Sequence, residues 1–147
     1  MPSVRRTRLV EAMWRAHLWA YRVSGGRLGH RISGMPILLL TTTGRKSGEP
    51  RTVALQHLTE GDAFVVIASH AGEPVHPAWL LNLRTNPAAT VQIGRTRVTV
   101  RAREAEGEER ARLWARVTRA DPGYAVYERR TSRKIPVVVL DPSGRSV

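Results

Sequence analysis

The apolar residues of this chain fall in short runs that are separated by glycine, proline, asparagine and aspartate. Short apolar or β-branched runs bounded by such turn-forming residues predict β-strands. We predict strands at residues 37–43, 52–58, 63–69, 90–93, 97–103 and 135–140. Residues 63–69 are almost continuously apolar, so we expect that strand to be central.

The same pattern predicts helices and the breaks between them. Residues 4–21 and 106–119 carry apolar positions at helical spacing, and Pro77 suits the first turn of a short helix that ends near Leu83. A further short helix is predicted to end near Tyr127. We expect residues 29–34 to be a loop and residues 59–62 to be a turn.

About six antiparallel strands with few, mostly terminal or inserted helices favour a β-barrel over alternating strand–helix–strand units. A length of 147 residues is sufficient for one domain with its own core. We therefore expect residues 1–34 to form an amphipathic helix and a linker. Residues 35–147 are expected to form the barrel domain.

Composition narrows the function. The chain has no cysteine and its five histidines lack the spacing of a zinc site, so we predict no disulfide and no metal. No apolar run is long enough to span a bilayer, and no secretory signal pattern is present, which predicts a cytoplasmic protein. The net charge of +12 should attract polyanions such as nucleic acid, anionic lipid or an acidic cofactor.

The most distinctive local feature is the Gly-Arg-Lys-Ser-Gly sequence at residues 44–48, followed by Arg51. Two glycines allow a tight turn and close approach of a ligand, and adjacent cations and hydroxyls suit a phosphate or several carboxylates. An ordinary basic hairpin turn would explain the same residues, and both interpretations stay open at this point. The segment is not a Walker A loop, because Arg45 stands where that loop has glycine.

The positive charge is also compatible with binding to a membrane surface or to nucleic acid. The helix at residues 4–21 contains Trp14, Trp19 and several arginines, so it suits either an anionic membrane surface or packing on the barrel, and we favour packing. Nucleic-acid binding is supported by charge alone. The chain has few aromatic residues for base stacking and no recognised binding module, so we predict no nucleic-acid partner.

Several motifs together resemble the deazaflavin-dependent nitroreductase family, whose members bind coenzyme F-420 in a split β-barrel. The order and spacing of these motifs are specific, although each alone is weak. They lie at residues 38–48, 65–69, 77–87, 108–114, 122–124 and 135–140, within a match from about Gly34 to Pro142.

The resemblance implies roles for particular residues. The phosphate of the cofactor would be held by Arg45, Lys46, Ser47 and Arg51. The deazaflavin ring would lie along Ile67, Ala68, Ser69 and His70. The opposite part of the groove would be lined by Ala78, Trp79, Leu80 and Asn82. Tyr124 would face the reacting side, and its hydroxyl or that of Ser69 would act on the acceptor.

The chain departs from the family pattern at Gln56, His57, His70 and Asp121, near the expected substrate mouth. The resemblance implies a reductase that moves a hydride from reduced coenzyme F-420 to a quinone, an activated alkene or a nitro compound. A non-catalytic F-420 carrier and a basic nucleic-acid or membrane-surface protein are the alternatives. We expect a monomer or homodimer with a small-molecule acceptor, and at most weak contact with the inner membrane face through the N-terminal helix.

Overall fold

The computed structural model describes residues 31–32 and 35–143 of the chain. Its strands are β1 (Arg31–Ile32), β2 (Met35–Thr43), β3 (Pro50–Gln56), β4 (Leu58–Glu60), β5 (Ala63–Ile67), β6 (Ala88–Ile93), β7 (Thr96–Glu104) and β8 (Val137–Pro142). Its helices are α1 (Ala78–Thr85), α2 (Gly107–Ala120) and α3 (Gly123–Arg130), with a 3₁₀ turn at His70–Gly72. The predicted helix at residues 4–21 lies outside the described residues.

The strands form one antiparallel sheet. Its order is β1-β2-β6-β7-β8-β5-β4, and β3 also pairs with β2. Strands β3 and β4 thus lie on two different edges of the sheet, yet only His57 separates them in the chain. The backbone N–H of His57 donates to the Pro36 carbonyl at 3.0 Å at this bend. The predicted antiparallel barrel with inserted helices is confirmed.

Three features differ from the sequence-based expectation by more than a small shift at the end of an element. The predicted turn at residues 59–62 is wrong in part, because Leu58–Glu60 pairs with β5 and only Gly61 and Asp62 turn. The predicted strand at residues 52–58 is interrupted at His57, where the chain passes between sheet edges. Arg31–Ile32, expected within a loop, pairs with β2. In each case, pairing with a sheet edge determines the conformation of a segment whose own residues have no strong preference for strand or turn.

Alternate residues of the strands face two apolar layers. The interior of the barrel contains buried residues from β2, β5, β8 and α1, namely Leu38, Leu40, Val66, Ala68, Trp79, Leu80, Leu83, Val138 and Leu140. The outer surface of β5 and β8 is covered by α2 and α3 in a second layer that includes Val65, Ile67, Leu113, Val117, Tyr124, Val137 and Val139. Because both faces of β5 are buried, its sequence is nearly all apolar rather than alternating.

Strand direction brings the predicted site segments to one end of the barrel. Antiparallel pairing through β6, β7 and β8 makes β2 and β5 run in the same direction. The turn after β2 and the loop after β5 therefore leave the barrel at the same end, where α1 also enters the interior with Trp79 and Leu80. Among the described residues, no helix is long and apolar enough to cross a membrane.

Candidate functional site

Residues 44–51 comprise the turn after β2 and the first two residues of β3, and glycines set the shape of this segment; we call it the basic turn. The Gly44 N–H donates to the Glu49 carbonyl at 2.8 Å, and the Gly48 N–H donates to the Gly44 carbonyl at 2.8 Å. A Cβ on Gly44 would lie 2.7 Å from Ser47 Oγ, and Gly48 has a φ of +72°. The glycines keep the turn tight, while the side chains of Arg45, Lys46 and Ser47 stay exposed.

A buried amide from α1 anchors the basic turn. Asn82 is 3% exposed, and its Oδ1 accepts both the backbone N–H and the Nη1 of Arg45 at 3.1 Å each. Its Nδ2 donates to Thr42 Oγ1 at 3.1 Å. The sequence resemblance implied that Asn82 lines the groove, and its contacts here orient the turn and Thr42, near the end of β2.

The cations of the basic turn are not neutralised by carboxylates. Ser47 Oγ accepts from the Glu49 N–H at 3.1 Å and from Arg51 Nη2 at 3.4 Å. Within the described part of the chain, Arg45, Lys46 and Arg51 form no ion pair, whereas other arginines pair with Glu60, Glu104, Glu109 or Asp141. Unpaired, exposed cations on a backbone held in place can bind an anionic ligand.

The segment after β5, residues 68–76, is held by one arginine; we call it the ring-side loop. Arg133 Nη1 donates to the Ala68 carbonyl at 3.1 Å and Nη2 donates to the Ser69 carbonyl at 2.6 Å. Its Nε donates to the Glu73 carbonyl at 2.9 Å. Sequence reasoning missed Arg133, because a single arginine in a polar stretch carries no periodic or motif signal.

Backbone strain and a histidine lie in the same loop. His70 has a φ of +47°, which side chains other than glycine rarely adopt. Arg133 Nη1 lies 3.0 Å from His76 Nδ1, and because arginine only donates, that imidazole nitrogen is the acceptor and carries no proton. The pKa of His76 is lowered first by burial and then by the nearby charges of Arg84 and Arg133, partly offset by Glu104.

Tyr124 is buried in the outer layer and is already hydrogen-bonded. It is 7% exposed, its hydroxyl donates to Gln56 Oε1 at 2.8 Å, and its ring meets that of Tyr127 edge-on at 5.9 Å. Burial raises the pKa of the Tyr124 phenol above its usual value. Gln56 is one of the positions where the chain departs from the family pattern. The residue that differs is therefore the one that accepts the hydrogen bond from Tyr124.

Helix α3 connects Tyr124 to the ring-side loop. A Cβ on Gly72, which has a φ of +77°, would lie 2.9 Å from the Tyr127 carbonyl. The 3₁₀ turn at His70–Gly72 therefore packs closely against α3, and only glycine leaves enough space there. The structure thus brings the helix of Tyr124 into contact with the segment that contains Ser69 and His70.

Exposure divides the predicted cofactor-binding residues into two groups. The side chains of His70 and Ala78 are exposed, as are those of the basic turn. Ser69 and Tyr124 are 8% and 7% exposed and therefore buried, as are the remaining predicted residues, namely Ile67, Ala68, Trp79, Leu80 and Asn82. The buried residues pack beneath the exposed ones and hold them in position. Among the described residues no cluster of histidine, aspartate or glutamate could hold a metal ion.

A cavity of about 350 Å³ adjoins the basic turn. Sequence reasoning did not single out its lining. Six of its eleven lining residues have a hydroxyl group, and the lining residues are Thr41, Thr42, Thr43, Gly48, Pro50, Ala88, Ala89, Thr90, Thr99, Val100 and Ser143.

Comparison with known proteins gives consistent matches. Residues 13–142 match the family described as F-420H(2)-dependent quinone reductase. A Mycobacterium tuberculosis protein of that description is 44% identical over 130 residues, which are 86% of this chain and 87% of the relative. A solved structure described as F-420-H2 dependent reductase (FDR-A) is 43% identical, has a TM-score of 0.67, and covers 72% of this chain and 94% of its own. Another solved structure, described as a domain-swapped dimer, is 37% identical and has a TM-score of 0.69. It covers 89% of this chain and 99% of its own.

Proposed function

The chain belongs to the F-420H(2)-dependent quinone reductase family, and on that premise we propose that it transfers a hydride from reduced coenzyme F-420 to a quinone. The observation that carries the proposal is the exposed, unpaired cationic turn that Asn82 anchors at one end of the barrel. The broader resemblance to nitroreductases concerns the same cofactor. Activated alkenes and nitro compounds are therefore further acceptors to test, after quinones.

The chemistry of the basic turn fits the cofactor. Coenzyme F-420 has a phosphodiester and a tail of glutamates, and Arg45, Lys46 and Arg51 would hold the phosphate with help from Ser47. No carboxylate among the described residues competes for these cations as an ion-pair partner. A flavin mononucleotide lacks the glutamate tail, so we expect the chain to bind F-420 more tightly than FMN.

The ring-side residues would orient the reacting partners. Reduced coenzyme F-420 supplies the hydride when it is bound. Ser69 and His70 would contact the ring and the acceptor, while Ala68, Trp79 and Leu80 support that surface from the barrel interior. The protein must hold ring and acceptor at about 3–3.5 Å and exclude water.

We propose Ser69 and Tyr124 as the two hydrogen-bond donors that act on the acceptor. The two hydroxyls differ in the hydrogen bonds that they already form. The only hydroxyl proton of Tyr124 is given to Gln56, so donation to an acceptor would require that bond to be exchanged. Its raised pKa also disfavours loss of that proton. Among the described residues, the Ser69 hydroxyl has no hydrogen bond that would first have to be exchanged, which makes it the first candidate for hydrogen bonding to the charge that develops on the acceptor.

The proposal is tested by mixing the protein anaerobically with reduced F-420 and a panel of quinones, enones and nitro compounds. Oxidation of F-420 in proportion to protein, fastest with quinones, is the expected result. Binding of F-420 without turnover on any acceptor would instead support a carrier. Absence of F-420 binding would contradict the proposal and would indicate that the positive charge binds a different polyanion.

The oligomeric state is a separate proposal. The relative described as a domain-swapped dimer covers 89% of this chain at 37% identity, which supports a homodimer. Light scattering coupled to size-exclusion chromatography tests it. A monomeric mass across the concentration range used for catalysis would contradict it.

A further inference from the structure

Arg133 connects the segment before β8 to three carbonyls and one imidazole of the ring-side loop. Its guanidinium donates to the carbonyls of Ala68, Ser69 and Glu73 at 2.6–3.1 Å and to His76 Nδ1 at 3.0 Å. We infer that Arg133 is a positioning residue that fixes Ser69 and the ring-side loop for hydride transfer. This inference rests on the proposed function, because it assigns that loop to the reacting ring.

The loop needs an external donor because it leaves the sheet. The last backbone contact to the neighbouring segment is from the Ala68 N–H to the Pro136 carbonyl at 3.0 Å. Beyond it, the chain turns through the positive φ of His70, and its carbonyls lie outside the β-ladder. The Ser69 carbonyl also accepts from the Gly72 N–H at 2.9 Å, whereas the Ala68 and Glu73 carbonyls take their donor from Arg133, so one planar group that joins all three holds the loop in a single shape.

The environment of Arg133 is unusual for a structural arginine. Desolvation lowers its pKa, and among the described residues no carboxylate pairs with it. Arg84, Arg103, Arg112 and Arg116 each pair with a carboxylate instead. Among the described residues, the charge of Arg133 is compensated by carbonyl and imidazole dipoles alone. A cation therefore lies next to Ser69, close to the site where negative charge would develop on the acceptor.

The geometry requires arginine rather than any cation. The five N–H groups of a guanidinium lie in one plane and point in fixed directions, whereas the three donors of lysine radiate from one atom. A lysine at position 133 cannot donate to the Ala68, Ser69 and Glu73 carbonyls from the three separate nitrogens used here. The Arg133 N–H itself donates to Thr131 Oγ1 at 3.3 Å, which orients the backbone from which the side chain projects.

The test compares Arg133→Lys and Arg133→Gln with wild type, and uses Arg129→Gln as the matched control because Arg129 is an exposed arginine of α3. Three quantities are measured: the Kd for F-420, kcat and KM with a quinone, and amide hydrogen exchange of residues 68–77 in the protein without cofactor. We expect kcat to fall by at least about tenfold in both variants, since a misplacement of about 1 Å can cost about 10²-fold. The Kd should stay within about threefold, and exchange should rise in residues 68–77 and not in the basic turn.

The outcomes separate this inference from the proposed function. Unchanged exchange in residues 68–77, or kcat equal to wild type in both variants, would overturn the positioning role. A global rise in exchange with parallel losses in kcat and affinity, in the lysine as well as the glutamine variant, would also overturn it, since it marks a general loss of stability. Failure of the wild-type protein to bind F-420 would overturn the proposed function, while the exchange result would still decide whether Arg133 orders the loop.

Discussion

The basic turn and the ring-side loop leave the barrel at the same end, and each is held by one side chain from elsewhere in the chain. Asn82 holds the turn through Arg45, and Arg133 holds the loop through its carbonyls. The turn also closes on itself through backbone hydrogen bonds and presents cations that have no carboxylate partner among the described residues. The loop has a strained residue and depends on a distant guanidinium. Affinity for the cofactor and the rate of the chemical step should therefore be separable by mutation.

The largest effect is expected at the helix that connects the two regions. Trp79 is the second residue of α1, packs in the barrel interior and is 8% exposed. Trp79→Ala should lower the free energy of unfolding by about 3–5 kcal/mol, the usual cost of truncating a buried tryptophan. Thermal denaturation measures it, with Arg119→Ala as an exposed control that should change stability by no more than about 0.5 kcal/mol. A melting temperature equal to wild type would mean that α1 does not support either region.

The second largest effect is expected at Asn82, the residue that anchors the basic turn. Asn82→Ala removes one acceptor and one donor from a buried site, and leaves the Arg45 N–H and Thr42 Oγ1 without those bonds. We expect a stability loss of about 1–3 kcal/mol, together with weaker F-420 binding although every cation remains. Chemical denaturation and a fluorescence titration measure the two changes. Normal F-420 affinity in a destabilised variant would show that the turn needs no anchor.

A smaller effect is expected at Tyr124. Tyr124→Phe removes the hydrogen bond from the phenol to Gln56 Oε1, and because the pair is only partly buried we expect a stability loss of about 1 kcal/mol. If the hydroxyl also acts on the acceptor, kcat should fall on the order of 10²-fold at a temperature well below unfolding, with F-420 affinity unchanged. Ser69→Ala provides the parallel measurement. Wild-type kcat in Tyr124→Phe would leave Ser69 as the donor.

Acid should disturb the loop and not the turn, since residues 68–76 contain two histidines and residues 44–51 contain none. The pKa of His76 is lowered on folding, first by burial. A histidine with a lowered pKa stabilises the folded state fully above its unfolded value of 6.5, and that contribution is lost as the pH falls from there through the folded pKa. Protonated His76 would no longer accept the bond from Arg133 Nη1.

The charges around His76 set the size of this effect. Arg84 on α1 and Arg133 oppose its protonation, and Glu104 at the end of β7 favours it. On the loop itself, His70 Nδ1 lies 3.6 Å from Glu73 Oε2. Hydrogen exchange at about pH 7.5 and 5.5, corrected for intrinsic rates, should show faster exchange at low pH in residues 68–77 only. His76→Gln should reduce this difference, and equal acid sensitivity in the basic turn would contradict the assignment.

Sequence patterns predicted the strands and the basic turn because both depend on neighbouring residues. The apolar runs gave β2, β5, β6 and β7 within two residues, and the glycines of residues 44–48 indicated the turn. The anchors could not be predicted this way. Asn82 and Arg45 are separated by 37 positions, and Arg133 and Ser69 by 64, so their contacts depend on strand order in the sheet.

The break at His57 and the partner of Tyr124 also depend on contacts between distant parts of the chain. His57 interrupts an otherwise continuous strand pattern because the chain changes sheet edge there, and no local residue signals that change. The sequence resemblance assigned Tyr124 to the reacting side. Its bond to Gln56, across 68 positions, is a property of the packed outer layer and follows only from the structure.

The central claim is that the basic turn holds the anionic part of F-420, and the Kd of Lys46→Ala tests it most directly. Lys46 is exposed and forms no ion pair among the described residues, so its loss should leave folding unchanged. A charge-assisted hydrogen bond to phosphate contributes about 1.5–3 kcal/mol, which predicts an increase in Kd of about 10- to 100-fold. Arg95→Ala, in the hairpin turn at the other end of the barrel, should bind F-420 like wild type. Equal Kd values for Lys46→Ala and wild type at low salt would contradict the account.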